Sequence, residues 1–219
     1  MIGVPIERGW LAVDAETCAD RLIGVALVRT LPTGERLAGL IVECEAYLGA
    51  PDRAAHTFNN RRTPRNEAMY ARAGTAYVYF TYGMHFCMNV VCGQEGEGVA
   101  ALVRALEPVE GMDRMRAHRG AKRPGAALRD ADLCSGPAKV CQALAVDRSL
   151  NGVDMLAKGA PLALRLLPPE YARARAAGID RSPRIGIASA GEPWVSAPLR
   201  FTARGNRFLS RPVGKRSGL

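Results

Sequence analysis

The sequence predicts an α+β fold: a single compact domain, residues 1–219, on a curved, mostly antiparallel and partly open, barrel-like β-sheet with short peripheral helices. Two observations lead to this prediction. Several segments alternate apolar and polar residues with a period of two and are separated by turns that contain Gly or Pro, which is typical of hairpin-connected strands. The helical segments are short, and 48% of the 219 residues are hydrophobic, enough for one core.

The first predicted elements are a capped helix and a long hairpin. Asp14 can accept a hydrogen bond from the Thr17 amide, and Gly24 supplies a stop signal, so a helix is expected as far as Arg21. Apolar and β-branched residues then form two strands, which the turn residues 31–34 join into a hairpin. These strands are Val25–Thr30 and Arg36–Tyr47.

The middle of the chain contains a long polar loop followed by three strands. Residues 49–66 are polar and rich in Arg, and loops of this length are usually functional or disordered. The strands alternate with a period of two and are separated by Gly83 and by the glycine-rich residues 93–98. They are predicted at Thr75–Tyr82, Phe86–Cys92 and Val99–Leu106.

The last predicted elements are short helices and one more strand pair. Proline near a helix start and glycine beyond a helix end mark helices at Val109–His118, Pro137–Leu144 and Pro169–Ala177. Ser135 is expected to cap the second of these. The closing strand pair is predicted at Arg184–Ala188 and Leu199–Arg204.

The charge distribution favours a polyanionic partner. The net charge is +9, and the basic residues cluster around Arg61 to Arg65, in 113–130 and in 193–219. Such clusters suit DNA or RNA. A solvated basic face explains the same composition, and the basic tail from about residue 207 is either ordered DNA contact or frayed peptide.

Several other protein classes are disfavoured. No segment approaches the ~18 consecutive apolar residues of a membrane span, and Glu7 and Arg8 stand where a signal peptide is apolar, so an intracellular protein is expected. The six cysteines form no Cys-x-x-Cys pair and are expected to be buried free thiols. The three histidines have no zinc-ligand spacing, and the signature of zinc base deaminases is absent. No metal or cofactor is expected.

The most informative strand is the one that carries two carboxylates. Its alternation places Glu43, Glu45 and Tyr47 on one face. Two carboxylates on one face raise the pKa of one member, which makes it a better general base near neutral pH. A solvent-facing acidic strand is the alternative. Arg104, inside another strand, needs an anionic partner, and Glu43 or Glu45 can provide it.

Aromatic and polar side chains near these carboxylates indicate a pocket. Tyr77 and Tyr79 share a strand face, with Tyr77 expected in the core, and Tyr82 precedes Gly83, where a turn exposes it. An aromatic face beside basic loops can stack nucleobases, and an aromatic at a hairpin tip can wedge into a base stack. His56 is also consistent with an ordinary hydrogen-bonded loop residue. The most natural occupant of such a pocket is a nucleobase held outside its helix.

A series of ordered motifs then carries a specific resemblance. The motifs are Ile41–Gly49, Asp52–His56, Arg62–Asn66, Gly74–Tyr79, Tyr82–Met84, Phe86–Asn89, Arg104–Pro108, Leu133–Lys139 and Pro198–Phe201. Together they resemble the alkyladenine (3-methyladenine) DNA glycosylase family, the monofunctional type that is unrelated to the helix-hairpin-helix glycosylases. The resemblance implies excision of 3-methyladenine, 7-methylguanine, hypoxanthine or ethenoadenine from duplex DNA, which leaves an abasic site and the free base.

The resemblance also implies roles for individual residues. Glu45 matches the general base that activates water, and Arg104 matches the residue that positions it. The implied base pocket consists of Tyr47, His56, Tyr79, Asn89, which disfavours normal guanine, and Ile185, which acts through its backbone. Tyr82 matches the side chain that enters the duplex. The implied DNA contacts are Thr63, Arg65, Met69, Met84, His85, Lys139 and Arg148, with His85 departing from the aromatic residue expected there.

One alternative remains open, a non-catalytic damaged-DNA-binding protein of the same fold. Glu45 argues against it, because a carboxylate repels DNA phosphates and gives a pure binder no advantage. None of the four lysines flanks the carboxylate strand, so no lyase step through a Schiff base is expected. The expected partner is duplex DNA with damaged purines, without a membrane or an obligate protein partner. The expected location is DNA-associated, the cytoplasm or nucleoid in a bacterium.

Overall fold

The computed structural model describes residues 3–81, 83–120, 128–167 and 173–212. In these residues a nine-stranded, open sheet has antiparallel pairing throughout and is accompanied by short helices, which confirms the predicted α+β fold class. The strands are β1 (Val4–Pro5), β2 (Ala26–Thr30), β3 (Arg36–Tyr47), β4 (Ala76–Thr81), β5 (His85–Cys92), β6 (Val99–Glu110), β7 (Leu162–Leu166), β8 (Ile179–Ser182) and β9 (Arg200–Ala203).

The helices lie at the periphery of the sheet. They are α1 (Arg8–Leu11), α2 (Ala15–Leu22), α3 (Met112–Gly120), α4 (Asp130–Leu133), α5 (Pro137–Ala143) and α6 (Arg173–Ala176). Within the described residues, short 3-10 turns occur at Phe58–Asn60, Glu67–Tyr70, Arg148–Leu150 and Ala188–Ala190. Of the described helices, none has the length and apolar character that crossing a bilayer requires.

Strand β3 is the centre of the sheet, whose order is β1-β7-β2-β3-β6-β5-β4. The first half of β3 pairs with β2, as the predicted hairpin requires. From Ala38 to Tyr47, β3 pairs with β6 on the other side, and over Glu43–Glu45 β9 takes the place of β2. The two carboxylates therefore lie on a segment with a neighbouring strand on each side. The opposite face of β3 carries Val42, Cys44 and Ala46, which are fully buried in the core.

The pairing of β3 with β6 has three register shifts, two of which lie on either side of Glu43. Ile41 pairs with Leu106 and Glu43 with Ala105, but Cys44 pairs with Val103. Arg104 is therefore the extra residue of a bulge. Unbroken alternation would place Arg104 opposite Cys44, whose side chain faces the core, and the bulge instead turns it onto the face of Glu43. Bulges often re-aim a side chain next to an active site in this way.

Several predicted elements are confirmed. Asp14 caps α2 by accepting a hydrogen bond from the Thr17 amide, and Gly24 follows the helix with a positive φ of 90°. The strands expected around Tyr77, Phe86 and Val103 are present as β4, β5 and β6. All six cysteines are free and buried, as predicted.

Three local predictions are wrong. Residues 184–188 form no strand, because Pro183 lacks the amide that a ladder needs and Gly186 has a φ of 80°. The strand that pairs with β9 is β8 instead. Ser135 does not cap α5: Gly136 is the N-cap residue, and Ser135 forms an isolated bridge with Ala105.

The third error is the start of α3, which was expected at Val109. Strand β6 continues to Glu110, and Gly111, with a φ of 75°, makes the turn into a helix that begins at Met112. A Cβ on Gly111 would lie 2.6 Å from the Arg36 carbonyl oxygen, so only glycine fits there. Of the helix predicted at Pro169–Ala177, residues 169–172 lie outside the described part, and α6 occupies Arg173–Ala176.

Candidate active site

The two carboxylates of β3 are completely buried. Glu43 and Glu45 are each 0% exposed, so the alternative of a solvent-facing acidic strand is wrong. Both carboxylates receive a hydrogen bond from Arg104, whose Nε lies 2.9 Å from Glu43 Oε1 and whose Nη1 lies 3.3 Å from Glu45 Oε2. Arg104 thus has the anionic partners that the sequence analysis expected for it, and both glutamates provide them. Buried charges are tolerated only when they are paired in this way.

Glu45 lies where three elements meet. Its Oε1 accepts a 2.7 Å hydrogen bond from the Ile185 amide, and its Oε2 accepts one of 3.1 Å from the Tyr47 hydroxyl. Burial raises the pKa of Glu45 above its ordinary value of 4.5, although the charge of Arg104 and the two hydrogen bonds oppose the shift. The result is a desolvated carboxylate with its proton affinity increased, which suits a general base.

Glu43 has the opposite character. Burial on its own would raise the pKa of Glu43, but the hydrogen bond and charge of Arg200, with two hydrogen bonds from Ser210, outweigh burial and lower it. For Arg104, burial lowers the pKa, while the charges of Glu45 and Glu43 raise it above its ordinary value. Two neighbouring carboxylates with pKa values pushed apart are a recurrent arrangement in acid–base sites.

An aromatic cavity of about 180 Å³ is lined in part by Tyr47, whose hydroxyl donates to Glu45. Tyr77 and Tyr79 are stacked with centroids 5.3 Å apart, and the His56 ring meets Tyr79 edge-on at 4.6 Å. Three aromatic rings thus stand together, as is typical of pockets that bind flat, polarisable ligands. The cavity is lined by Tyr47, Ala54, His56, Met69, Tyr77, Tyr79, Thr81, Asn89, Gly186 and Ile187.

His56 is fixed by its hydrogen bond to Tyr77. Its Nδ1 lies 2.8 Å from the Tyr77 hydroxyl. Although His56 presents part of its ring to solvent, packing against the tyrosines lowers its pKa, and the charges of Arg65 and Arg61 lower it further. Tyr77 is 1% exposed, as expected for a core residue, and burial raises its pKa to about 12. The lowered pKa favours the neutral form of the His56 ring.

Arg184 and Asp52 hold Tyr47, one of the residues that line the cavity, in place. Their side chains form a fully buried ion pair, and the Arg184 guanidinium stacks on the Tyr47 ring at 4.7 Å. Arg184 also donates a 2.9 Å hydrogen bond to the Ala46 carbonyl. Because Ile185 is the next residue, this pair places the amide that binds Glu45.

The structure brings together most of the residues predicted for catalysis and for the base pocket. Glu45, Arg104, Tyr47, His56 and Tyr79 converge, and Asn89 lies on β5 opposite Tyr77 with its amide 3.4 Å from the Tyr77 carbonyl. Ile185 contributes its backbone, while the neighbouring residues Gly186 and Ile187 line the cavity.

The residues predicted to contact DNA occupy different positions. Thr63 and Arg65 line a second cleft, of about 310 Å³, that shares His56 and Tyr77 with the aromatic cavity. Met69 is 3% exposed and lines the aromatic cavity itself. The others lie nearer the surface: Met84 and Arg148 are exposed, and half-buried His85 and Lys139 line a third cleft of about 620 Å³. Tyr82 lies outside the described residues.

Sequence reasoning missed four residues of this site: Asp52, Arg184, Arg200 and Ser210. One signal was available, because Arg200 lies among apolar residues of a predicted strand, and an arginine in that position indicates a buried anion. Ser210 had no such signal. It belongs to the basic tail, whose residues 207–212 are described, and Phe208 packs in the core.

Among the described residues, no group of three His, Cys, Asp or Glu side chains could hold a metal ion.

The sequence profile described as methylpurine-DNA glycosylase matches residues 9–207. The chain is 47% identical over 197 residues to a DNA-3-methyladenine glycosylase of Homo sapiens, covering 88% of this chain and 63% of that protein. It is 46% identical over 199 residues to the mouse (Mus musculus) protein of the same name, with shares of 90% and 58%.

A bacterial relative covers the chain more evenly. The putative 3-methyladenine DNA glycosylase of Burkholderia lata is 43% identical over 214 residues, which is 98% of this chain and 95% of that protein. The chain thus spans about three fifths of the length of the mammalian relatives and nearly all of the bacterial one. The family resemblance inferred from the motifs is confirmed: the chain belongs to the methylpurine-DNA glycosylase family.

Proposed function

We propose that this protein is a monofunctional DNA glycosylase of base-excision repair. It hydrolyses the N-glycosidic bond of an alkylated or deaminated purine that has been extruded from duplex DNA, and it leaves an abasic site and the free base. The observation that carries the proposal is the position of Glu45, a buried carboxylate with a raised pKa beside an aromatic cavity.

Glu45 is the general base for water. Hydrolysis of a glycosidic bond passes through an oxocarbenium-like sugar, so a carboxylate can both deprotonate water and offset the developing positive charge. The Ile185 amide holds Oε1 at 2.7 Å, whereas the contacts of Oε2 with Tyr47 and Arg104 are longer, at 3.1 and 3.3 Å. Because Oε2 already accepts two hydrogen bonds and Oε1 only one, Oε1 keeps a lone pair and is the oxygen we assign to receive the proton, with Arg104 keeping the carboxylate in place.

The aromatic cavity is the site for the extruded base. Tyr47, Tyr79 and neutral His56 provide ring faces and edges, and a positively charged, alkylated purine gains cation–π attraction from them. Asn89 at the cavity wall is assigned to disfavour normal guanine by contact with its exocyclic amine. The substrates we propose are 3-methyladenine, 7-methylguanine, hypoxanthine and ethenoadenine.

Duplex DNA is the proposed partner. Extruding a nucleotide costs a few kcal/mol of stacking, least at damaged pairs, and we assign Tyr82 to fill the gap in the base stack. Arg65 and Thr63 in the cleft beside His56, and the more distant Lys139 and Arg148, provide the phosphate contacts. Further contacts are assigned to Met69, Met84 and His85. The proposed location is intracellular and DNA-associated. We propose no membrane association and no obligate protein partner.

The test is single-turnover excision from duplexes that each contain one lesion: hypoxanthine, ethenoadenine, 7-methylguanine or 3-methyladenine. We expect alkali-dependent strand cleavage with the wild-type protein. Glu45→Gln should reduce the rate by about 10³-fold or more, by analogy with the loss of other essential bases, and still bind lesion DNA. Glu35→Gln, which neutralises a half-buried carboxylate paired with Arg114 at the β2–β3 turn, is the matched control. A wild-type protein that binds every lesion and excises none would instead establish the damage-binding alternative.

A further inference from the structure

Glu43 is a fully buried carboxylate for which the proposed hydrolysis has no direct use. It lies two residues before Glu45 on β3 and faces the same way, yet its four hydrogen bonds saturate it. Its Oε1 accepts from Arg104 Nε at 2.9 Å, Arg200 Nε at 2.8 Å and Ser210 Oγ at 2.7 Å. Its Oε2 accepts from the Ser210 amide at 2.7 Å. A carboxylate so occupied is not a free base.

The same contacts determine where Arg104 lies. Its Nε is 2.9 Å from Glu43, its Nη1 is 3.3 Å from Glu45, and its Nη2 is 3.5 Å from Ser210 Oγ. The shorter contact is with Glu43, so the guanidinium is anchored there and reaches Glu45 with its outer nitrogen. Arg104 is also the extra residue of a β-bulge, where the strand ladder by itself constrains a side chain least.

Arg200 and the C-terminal segment complete the anchor. Arg200 sits on β9 beside β3, and its Nη2 donates to the carbonyl of Arg211 at 2.5 Å. The residues from Phe208 to Arg211 thus run across the buried cluster, and Ser210 contacts Glu43 through both its amide and its hydroxyl. This segment lies beyond residue 207, where the match to the family profile ends.

We propose that Glu43 is a positioning residue: its ionised carboxylate, clamped by Arg200 and Ser210, holds Arg104 at the distance from Glu45 that keeps Glu45 available as a base. This inference rests on the proposed function. In the wild-type protein, the positive charge of Arg104 is shared between the carboxylates of Glu43 and Glu45. Without Glu43, the whole charge of Arg104 would stabilise ionised Glu45 and weaken it as a base.

The surroundings of Glu45 make the sign of the effect clear. Burial raises its pKa, Arg104 lowers it, and the negative charge of Glu43 raises it. Removing the charge of Glu43 should therefore lower the pKa of Glu45 in two ways. The negative charge that raises this pKa is lost, and Arg104, no longer bound to Glu43, can interact more strongly with Glu45. The charged and titratable groups that interact electrostatically with Glu45 are Glu43 and Tyr47 on the same face of β3, Arg104 on β6, Tyr79 on β4 and Cys87 on β5, together with Cys44 on the opposite face of β3.

The first test is a carboxyl NMR titration of protein labelled with ¹³C at glutamate, in which the Glu45 signal is assigned by Glu45→Gln. In Glu43→Gln we expect the Glu45 midpoint to fall by about one pH unit, the size of a nearby-charge effect. Asp180→Asn is the control, because it removes the same charge from a partly exposed pair with Arg204. A Glu45 midpoint that is unchanged in Glu43→Gln overturns the proposal.

Excision adds a second readout that separates this proposal from the proposed function. In Glu43→Gln the acidic limb of the single-turnover pH profile should move down with the NMR midpoint, and the plateau rate should fall about 10- to 100-fold. A merely structural role of Glu43 would lower the rate equally at every pH and leave the limb in place. If the wild type excises no lesion, the proposed function fails, while the NMR titration still decides the role of Glu43.

Ser210→Ala provides a variant with a smaller risk to folding. It removes the hydroxyl that joins Glu43 to Arg104 and leaves all charges intact. We expect the Arg104 Nε–H, assigned with Arg104→Lys, to exchange with solvent roughly tenfold faster than in the wild type. Ser210→Thr, which restores the hydroxyl, should return exchange to the wild-type rate. Equal exchange in wild type and Ser210→Ala would show that the C-terminal segment does not clamp the anchor, against the proposal.

Discussion

Arg184 and Asp52 form a bidentate ion pair whose two side chains are both completely excluded from solvent. Arg184 Nη1 and Nη2 lie 2.6 and 2.9 Å from the two carboxylate oxygens, which also accept hydrogen bonds from the amides of Leu48 and Ala54. The pair ties the loop after β8 to the chain that follows β3. Because that loop carries the Ile185 amide, the pair connects the stability of the fold with the geometry of Glu45.

Breaking this pair should destabilise the protein strongly. In Asp52→Asn, the guanidinium of Arg184 remains buried without its counter-charge, and we expect a loss of about 3–5 kcal/mol in the free energy of unfolding. Urea denaturation at neutral pH measures it. Asp180→Asn, which breaks a partly exposed pair with Arg204, should cost only about 0–1 kcal/mol. Equal losses in the two variants would contradict the importance assigned to the buried pair.

The pH dependence of excision should reveal the raised pKa of Glu45. A general base acts only when ionised, so the rate should fall as the pH drops through the pKa of Glu45. We expect the midpoint of that acidic limb to lie above 4.5, the ordinary value. Single-turnover rates on a hypoxanthine duplex from pH 4 to 8 give the limb, with circular dichroism at each pH as the check on folding.

Acid unfolding linked to Glu45 cannot mimic this limb. A carboxyl whose pKa is raised by folding binds its proton more tightly in the folded state, so protonation of Glu45 adds to stability. A limb at or below 4.5 in folded protein would therefore refute the assignment of Glu45 as a desolvated base.

The pKa of His56 should respond to its arginine neighbours. Burial lowers it below 6.5, and Arg65 and Arg61 lower it further. Arg65→Gln removes one of these charges and should move the His56 midpoint upward, toward 6.5, in a ¹H NMR titration of the three histidines. His56→Gln assigns the signal. Arg114→Gln, which removes an arginine paired with Glu35, serves as the control and should leave the His56 midpoint unchanged. A His56 midpoint that falls in Arg65→Gln would disprove the electrostatic explanation.

The Asp14 cap should contribute a pH-dependent part of the stability. Its carboxylate accepts hydrogen bonds from the side chain and amide of Thr17, which lower its pKa below 3.8. The contribution is therefore present above pH 3.8 and is lost as the pH falls through the lowered pKa. Asp14→Ala should cost about 1 kcal/mol at pH 7, and less near pH 2.5. Denaturation curves that show the same cost at both pH values would argue against a charged cap.

The proposed phosphate contacts should show in the salt dependence of binding. Lys139→Ala and Arg148→Ala should each weaken binding to lesion-bearing and undamaged duplexes alike, and each should reduce the salt slope by about one. Fluorescence anisotropy at several salt concentrations measures both quantities, with Arg114→Ala as the control. Loss of binding to only one lesion would contradict a simple phosphate contact.

The amino-acid sequence by itself determined the local structure and much of the chemistry. The Asp14 cap and the hairpin of β2 and β3 depend on neighbours a few residues apart, so residue type and spacing suffice to predict them. The placement of Glu43, Glu45 and Tyr47 on one face follows from the two-residue period of a strand. Even the pairing of Arg104 with a carboxylate could be expected, since a charged side chain inside a sheet needs a partner.

Only the tertiary structure shows that the two carboxylates have different environments. Bulge geometry turns Arg104 toward Glu43, and partners far along the chain, Ser210 for Glu43 and Ile185 for Glu45, give the two glutamates opposite pKa shifts. These partners lie 167 and 140 residues away. A strand's period says which side chains share a face, but burial and hydrogen bonds set a pKa, and both arise only when distant segments pack together.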